Sequence, residues 1–162
     1  MSRKRCFDPV VDARTRVLVL GSLPGEASLK AGRYYAHPRN LFWRLIGPAI
    51  GADLTALDYE ARLSALLDAG VGLWDVVAEA ERPGSLDGAI RDARPSDLPG
   101  LLATLPALRA VAFNGRKAAA LGTAALHGSA LDVMTLPSSS PANAGTPFEA
   151  KARAWREIAC LL

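Results

Sequence analysis

The stretch Val17-Leu18-Val19-Leu20-Gly21-Ser22-Leu23-Pro24-Gly25 decides the fold. Its first four residues are an unbroken apolar run, stopped at once by glycine. Such a run reads as a strand covered on both faces, the central strand of a parallel sheet. The residues after it form a turn at the strand's carboxyl end. Pro24 disfavours helix at Leu23, and Gly21 and Gly25 permit backbone that other residues avoid.

Working outward, Leu41-Phe42-Trp43-Arg44-Leu45-Ile46 opens a helix with Asn40 placed as its N-cap. Tyr59 to Ala69 carries Leu63, Leu66 and Leu67 at helical spacing, and Gly70 stops it. Val71 to Val77 reads as a second strand, and Glu79 to Pro95 as a polar, turn-rich surface excursion. A helix is expected over Ser96 to Leu105. Ala110-Val111-Ala112-Phe113 is a third strand closed by Asn114-Gly115, with a short helix from Arg116. Leu131 to Leu136 is a fourth strand ending at Pro137. Thr146-Pro147-Phe148-Glu149 reads as a capping box with proline at the first helical position. The final helix puts Phe148, Ala152, Trp155, Ala159 and Leu162 on one face.

Strands alternating with helices predict an α/β fold: a three-layer α/β/α sandwich around a central, mostly parallel four-stranded sheet, forming one domain over residues 1–162. Ligands in such sheets bind beyond the carboxyl ends of the strands. The places to look are therefore Gly21–Gly25, Asp75, Asn114 and Pro137–Ala144.

Composition narrows the function classes. Half of the 162 residues are hydrophobic and 22% are charged, a globular balance. Cys6 and Cys160 are the only cysteines, so neither a disulfide framework nor a four-thiolate cluster is available within the chain. That usage fits a reducing, cytoplasmic compartment, and no metal or organic cofactor is expected. Met1 to Phe7 is basic without an apolar run behind it, unlike a signal peptide. No apolar segment has the length of a membrane span. A net charge of +3 with a pI near 9.1 is a mild sign of a polyanionic partner. Nothing calls for an obligate partner chain, so a monomer is expected.

Two loops carry chemistry. Ser138, Ser139 and Ser140, beside Pro137 and Pro141, offer hydroxyls and backbone amides to phosphate oxygens; a capping turn explains them equally. Tyr34 and Tyr35, between Arg33 and His37, suit stacking on a base, or packing of the loop on the domain. Asn40 reads as an N-cap or as an amide that positions water. His37 alone is more often structural. Asp75 ends an apolar strand, where a carboxylate is costly unless hydrogen-bonded or near solvent. It accepts a base N–H or caps a turn. Asn114-Gly115 is most simply a turn.

Taken in order, these motifs resemble the uracil-DNA glycosylase superfamily, in particular its hypoxanthine (deoxyinosine) DNA glycosylase branch. The matching residues are Gly21-Ser22-Leu23-Pro24-Gly25, Tyr34-Tyr35-Ala36-His37-Pro38-Arg39-Asn40 with Phe42-Trp43, and Leu73-Trp74-Asp75-Val76. Further matches are Glu81-Arg82-Pro83-Gly84-Ser85, Asn114-Gly115 and Leu136 to Asn143. The segment His37 to Trp43 also resembles the HPxNxFW motif of mismatch-specific uracil/thymine glycosylases. Those enzymes carry a G-I-N-P-G first motif whose Asn activates water, and Leu23 stands in that place here.

The resemblance implies a monofunctional enzyme that releases a deaminated base, hypoxanthine foremost, from DNA and leaves an abasic site. It implies Asn40 as the catalytic residue, with Leu23, Pro24, Tyr35 and Asp75 around the base. Ser22, Ser138, Ser139, Ser140, Pro141, Ala142 and Asn143 would contact DNA, and His37 would stabilise the leaving group. Activity at the bacterial nucleoid follows from the same likeness. Two alternatives stay open: a uracil or mismatch glycosylase of the same fold, and a non-catalytic DNA- or nucleotide-binding module.

Overall fold

The computed structural model describes residues 3–162, so the first two residues of the basic N-terminal segment lie outside it. The expected parallel sheet is present, with four strands in the order β3-β2-β6-β7. These are β2 (Val17–Gly21), β3 (Val71–Asp75), β6 (Ala110–Asn114) and β7 (Asp132–Leu136). Every neighbouring pair is parallel, with Val17 opposite both Val71 and Ala110.

The run that decided the fold lies at the centre, and Val17, Leu18, Val19 and Leu20 are completely buried. Burial at that level contributes roughly 1.5–3 kcal/mol per aliphatic side chain. Their alternation splits the core in two. Val17, Val19, Ala110 and Ala112 face α2 (Phe42–Ile50), α3 (Tyr59–Ala69) and α6 (Phe148–Arg156), where Phe42, Leu66 and Trp155 complete the layer. Leu18, Leu20, Val111 and Phe113 face the other way, toward α4 (Leu98–Leu102) and α5 (Arg116–Gly122).

The second layer departs from the expectation. Glu79 to Pro95 does run largely over the surface, but much of it is regular strand and not turns. β4 (Val77–Glu81) and β5 (Arg91–Pro95) form an antiparallel ribbon, joined by β1 (Lys4–Arg5), in a separate sheet ordered β1-β4-β5. The expected strand over Val71 to Val77 is therefore two strands. It breaks at Val76, whose N–H donates to Gly21 O where the neighbouring strand also ends. Polar composition hid the ribbon: β5 is exposed throughout, and Glu79 is buried among Arg3, Arg5 and Arg94.

Smaller corrections concern helix ends. The helix after β2, α1 (Glu26–Ala31), lies inside what read as an irregular loop. The N-cap position of α2 is Leu41 rather than Asn40, although the Asn40 Oδ1 accepts the Phe42 N–H at 3.0 Å. Pro147 is the N-cap residue of α6, not its first helical residue, and no side chain caps that helix. Ile158 replaces Ala159 on the buried face because the chain tightens to a 3-10 helix over Glu157–Leu161, which changes the angular phase.

Candidate active site

All four parallel strands end at one edge, and a cavity of about 120 Å³ opens there. It is lined by Ser22, Leu23, Pro24, Tyr35, His37, Asn40, Asp75, Ser138, Ser139, Ser140 and Pro141 together. The site residues expected from sequence thus meet at one place, except Ala142 and Asn143. Asn143 lines a neighbouring hollow with Ser138 and Arg116.

The floor of the cavity is Asp75. In register, Asp75 lies opposite Gly21, and a side chain at Gly21 could not fit: a Cβ there would stand 2.6 Å from the Asp75 Oδ1. Asp75 is 4% exposed, and its Oδ2 has no hydrogen-bond partner among the described residues. Burial, reinforced by the negative charge of Asp87 and only partly offset by Arg82, pushes its pKa up to about 7. An unpartnered carboxyl oxygen in a cavity is a vacant acceptor when charged and a donor when neutral.

Tyr35 and Asn114 form the adjoining wall. Tyr35 is held at φ 52°, a left-handed conformation uncommon outside glycine. One face of its ring stacks on Phe42, with centroids 4.0 Å apart and planes 13° from parallel. Its hydroxyl accepts the Asn114 Nδ2 at 3.4 Å. Asn114 was read as a turn residue, yet it joins two loops. Its Oδ1 accepts the Ser139 N–H at 2.9 Å, and its Nδ2 donates to the Ser139 Oγ at 2.9 Å. Gly115, at φ 102°, lets the chain turn under Ser138, whose Cβ would lie 3.1 Å from a side chain there. The signal for Asn114 was its place at a buried strand's carboxyl end. Tyr34 takes the packing role: it is buried, edge-on to Phe7, and donates its hydroxyl to Asp8 O at 2.8 Å.

Asn40 and His37 stand at the rim. The Phe42 N–H pins the Asn40 Oδ1, while a second lone pair on that oxygen and the Nδ2 group remain unpaired among the described residues. The amide is therefore oriented yet still able to hold a water. His37 accepts the Arg39 N–H at Nδ1, at 3.1 Å, so the neutral ring carries its proton on Nε2.

The opposite rim is Ser138–Asn143. Ser138 Oγ accepts the Ser140 N–H at 3.1 Å, and Ser140 Oγ accepts the Ala142 N–H at 3.2 Å. Each hydroxyl keeps its own proton to donate outward. Asn143 Nδ2 donates to Ser138 O, and the buried Lys151 donates to Asn143 O at 2.7 Å. Ser22 is engaged differently, donating its hydroxyl to Asp87 at 2.6 Å. Leu23 and Pro24 turn their carbonyls to the guanidinium of Arg82, a buried residue that the sequence reading placed in an exposed turn. Among the described residues, no cluster of His, Cys, Asp and Glu has the grouping a metal site requires.

Comparison with known proteins matches the same regions. Residues 9–159 fit the model of the Uracil DNA glycosylase superfamily. A hypoxanthine DNA glycosylase of Methanosarcina acetivorans is 44% identical over 140 residues, which is 86% of this chain and 88% of that protein. One from Methanosarcina barkeri is 44% identical over 115 residues, 71% and 73% of the two chains. The solution NMR structure of a putative uracil DNA glycosylase from Methanosarcina acetivorans superposes with a TM-score of 0.87 at 39% identity, covering 98% of this chain and 97% of that one.

Proposed function

The chain belongs to the uracil DNA glycosylase superfamily and is a DNA glycosylase for a deaminated base, and within that class we propose that it excises hypoxanthine, with Asp75 reading the base and Asn40 placing the water. The observation that carries the base assignment is a buried carboxyl group lining the cavity, Asp75, whose Oδ2 has no partner among the described residues. Hypoxanthine presents N1–H beside the carbonyl O6, whereas adenine presents a bare N1 lone pair. The Asp75 carboxylate accepts from the first and repels the second. A mismatched edge leaves a buried polar group unpaired, which costs about 1–3 kcal/mol.

The nucleotide is rotated out of the duplex into the cavity. Tyr35, backed by Phe42, supplies a flat wall against the base. Ser138 and Ser140 donate to phosphate, with Pro141, Ala142 and Asn143 following along the same backbone. The glycosidic bond breaks with positive charge developing on the sugar. Asn40 holds water below C1′, contributing by placement rather than basicity. The His37 Nε2–H and the amides of the Gly21–Gly25 loop stabilise the departing base. Among the described residues no lysine lines the cavity, in keeping with a hydrolytic release that leaves an abasic site. One copy of the chain carries every group this scheme uses, and among the described residues no helix is long and apolar enough to cross a membrane. We place its work on the DNA of the bacterial nucleoid, in the cytoplasm.

One observation favours uracil as a second substrate: its N3–H flanked by carbonyls offers the Asp75 carboxylate the same donor. Leu23 weighs against it, because no polar side chain stands there to activate water on a poorer fit. Single-turnover release of base from duplexes carrying hypoxanthine, uracil or adenine, followed across pH 5–9, tests the assignment. Hypoxanthine release is expected to rise with pH, with a midpoint near 7 as Asp75 ionises. Uracil release without hypoxanthine release sinks the proposed substrate.

A further inference from the structure

Arg82 is 1% exposed, among the largest buried side chains of the molecule, and the scheme above gives it no task. It follows β4 directly. Its guanidinium forms no ion pair among the described residues. Nε donates to Gly84 O at 2.8 Å, Nη1 to Leu23 O at 3.3 Å and Nη2 to Pro24 O at 2.5 Å. Burial opposes its charge, and Asp87, Glu26 and Asp75 lie near enough to favour it, yet its direct partners are all carbonyls. Burying an ion in that way is costly, and filling space does not require one. A planar fork, however, holds two successive carbonyls in one fixed geometry, which the single-point ammonium of a lysine does not impose.

The residues that follow tighten the same grip. Ser22 donates to Asp87 at 2.6 Å, and the Glu26 N–H donates to the Ser85 Oγ at 2.9 Å. Residues 82–87 therefore bracket residues 22–26, and Ser85 and Asp87 of that segment line the cavity themselves. We propose that Arg82 is a positioning residue for base excision, holding the Leu23 and Pro24 carbonyls so that the Gly21–Gly25 loop meets the flipped base in one fixed orientation. With the Pro24 carbonyl turned to the cation and the peptide trans, the Gly25 N–H faces the opposite way and is polarised. The same cation opposes the rise in Asp75 pKa caused by burial and Asp87. Cys6 on the N-terminal segment and Tyr34 and Tyr35 on the loop before α2 also face Asp75, and burial first and the Asp75 charge second raise their pKa values.

This inference rests on the reading that the base lies against Asp75. It is tested on whichever deaminated base the wild type releases fastest, so a wrong substrate assignment fails separately. Arg82→Gln removes charge and fork, and Arg82→Lys removes only the fork. Both are expected to slow single-turnover release about 100-fold, the scale of a small misplacement at a reacting centre, with affinity for lesion duplex little changed. Arg82→Gln should also move the pH midpoint of the reaction upward, while Arg82→Lys leaves it in place. If Arg82→Gln does not fold, Arg82→Lys decides. A wild-type rate in Arg82→Lys, or a loss that vanishes once the rate is corrected for the folded fraction in a melting scan, overturns the proposal.

Discussion

The floor and the rim of this cavity are built on opposite terms. The floor and its adjoining wall, made by Gly21, Asp75, Asn114 and the half-buried Tyr35, are held by contacts between segments far apart in the chain. The floor keeps a carboxyl group in a place where burial raises its pKa to about 7. The rim, made by Asn40, His37, Ser138 and Ser140, is held by hydrogen bonds to backbone two residues away. Its side chains keep unused donors facing outward. Base recognition therefore draws on the stability of the fold, while chemistry and backbone contact draw on it little. Mutations on the floor should register in melting curves and pH profiles, and mutations on the rim in rates and affinities.

The largest effect is expected at Asn40. On the proposed mechanism Asn40→Ala removes the group that would hold water, and it should lower single-turnover release about 100-fold or more while leaving lesion affinity nearly intact. It also frees the Phe42 N–H, so stability should fall by about 1 kcal/mol, as for a lost cap. Asn40→Ser keeps an oxygen for that N–H and is expected to regain the stability without the rate. Equal losses of rate and affinity in Asn40→Ala would make the residue a support for binding and erase the contrast with the floor.

Asn114→Ala is the reciprocal case. It strips partners from the Ser139 N–H and Oγ and from the Tyr35 hydroxyl in one step. Buried groups left unpaired cost about 1–3 kcal/mol, which lowers the melting temperature of a domain this size by several degrees. An unchanged melting temperature would show that the two loops stand without their link.

Most of the fold was legible in advance, because an apolar run closed by glycine has few other homes in a folded chain. Val17–Leu20 and Ala110–Phe113 sit where the pattern placed them. The antiparallel ribbon was not legible, since β5 buries nothing and β4 carries alternating Glu residues that read as surface. The rim was legible for a similar reason to the core: its supporting contacts are local, so neighbouring letters announce them. The floor was only half so. Asp75 stood out as a carboxylate ending an apolar strand. Asn114 and Arg82 act on residues 25 and 58–59 positions away, and no local pattern encodes such partners.

Asp75 reverses the usual sign of a floor mutation. Its folded-state pKa lies above that of an unfolded aspartate, so the folded chain holds the extra proton between about pH 4 and pH 7. Stability then falls as pH rises through that window and stays low above it. Asp75→Asn should therefore melt higher than wild type at pH 8, with the gain shrinking toward pH 4. The same variant should lose the pH dependence of hypoxanthine release and admit adenine, because an amide offers a donor to the bare N1. A lower melting temperature at pH 8 would mean that Asp75 has a partner in the folded protein that offsets its burial.

The smallest effect separates two kinds of contact on the outer rim. Ser138 and Arg116 line one hollow beside the cavity, and on the proposed reading each would meet a DNA phosphate, the serine through a neutral hydroxyl and the arginine through a charge. Only the charge displaces a condensed counterion. Arg116→Gln should weaken binding and flatten the slope of log affinity against log salt by about 0.9. Ser138→Ala should weaken binding by no more than about 1 kcal/mol and leave the slope where it was. A changed slope in Ser138→Ala would mean that the loop rearranges and withdraws a cation with it. The rim would then be coupled to the rest of the fold as tightly as the floor.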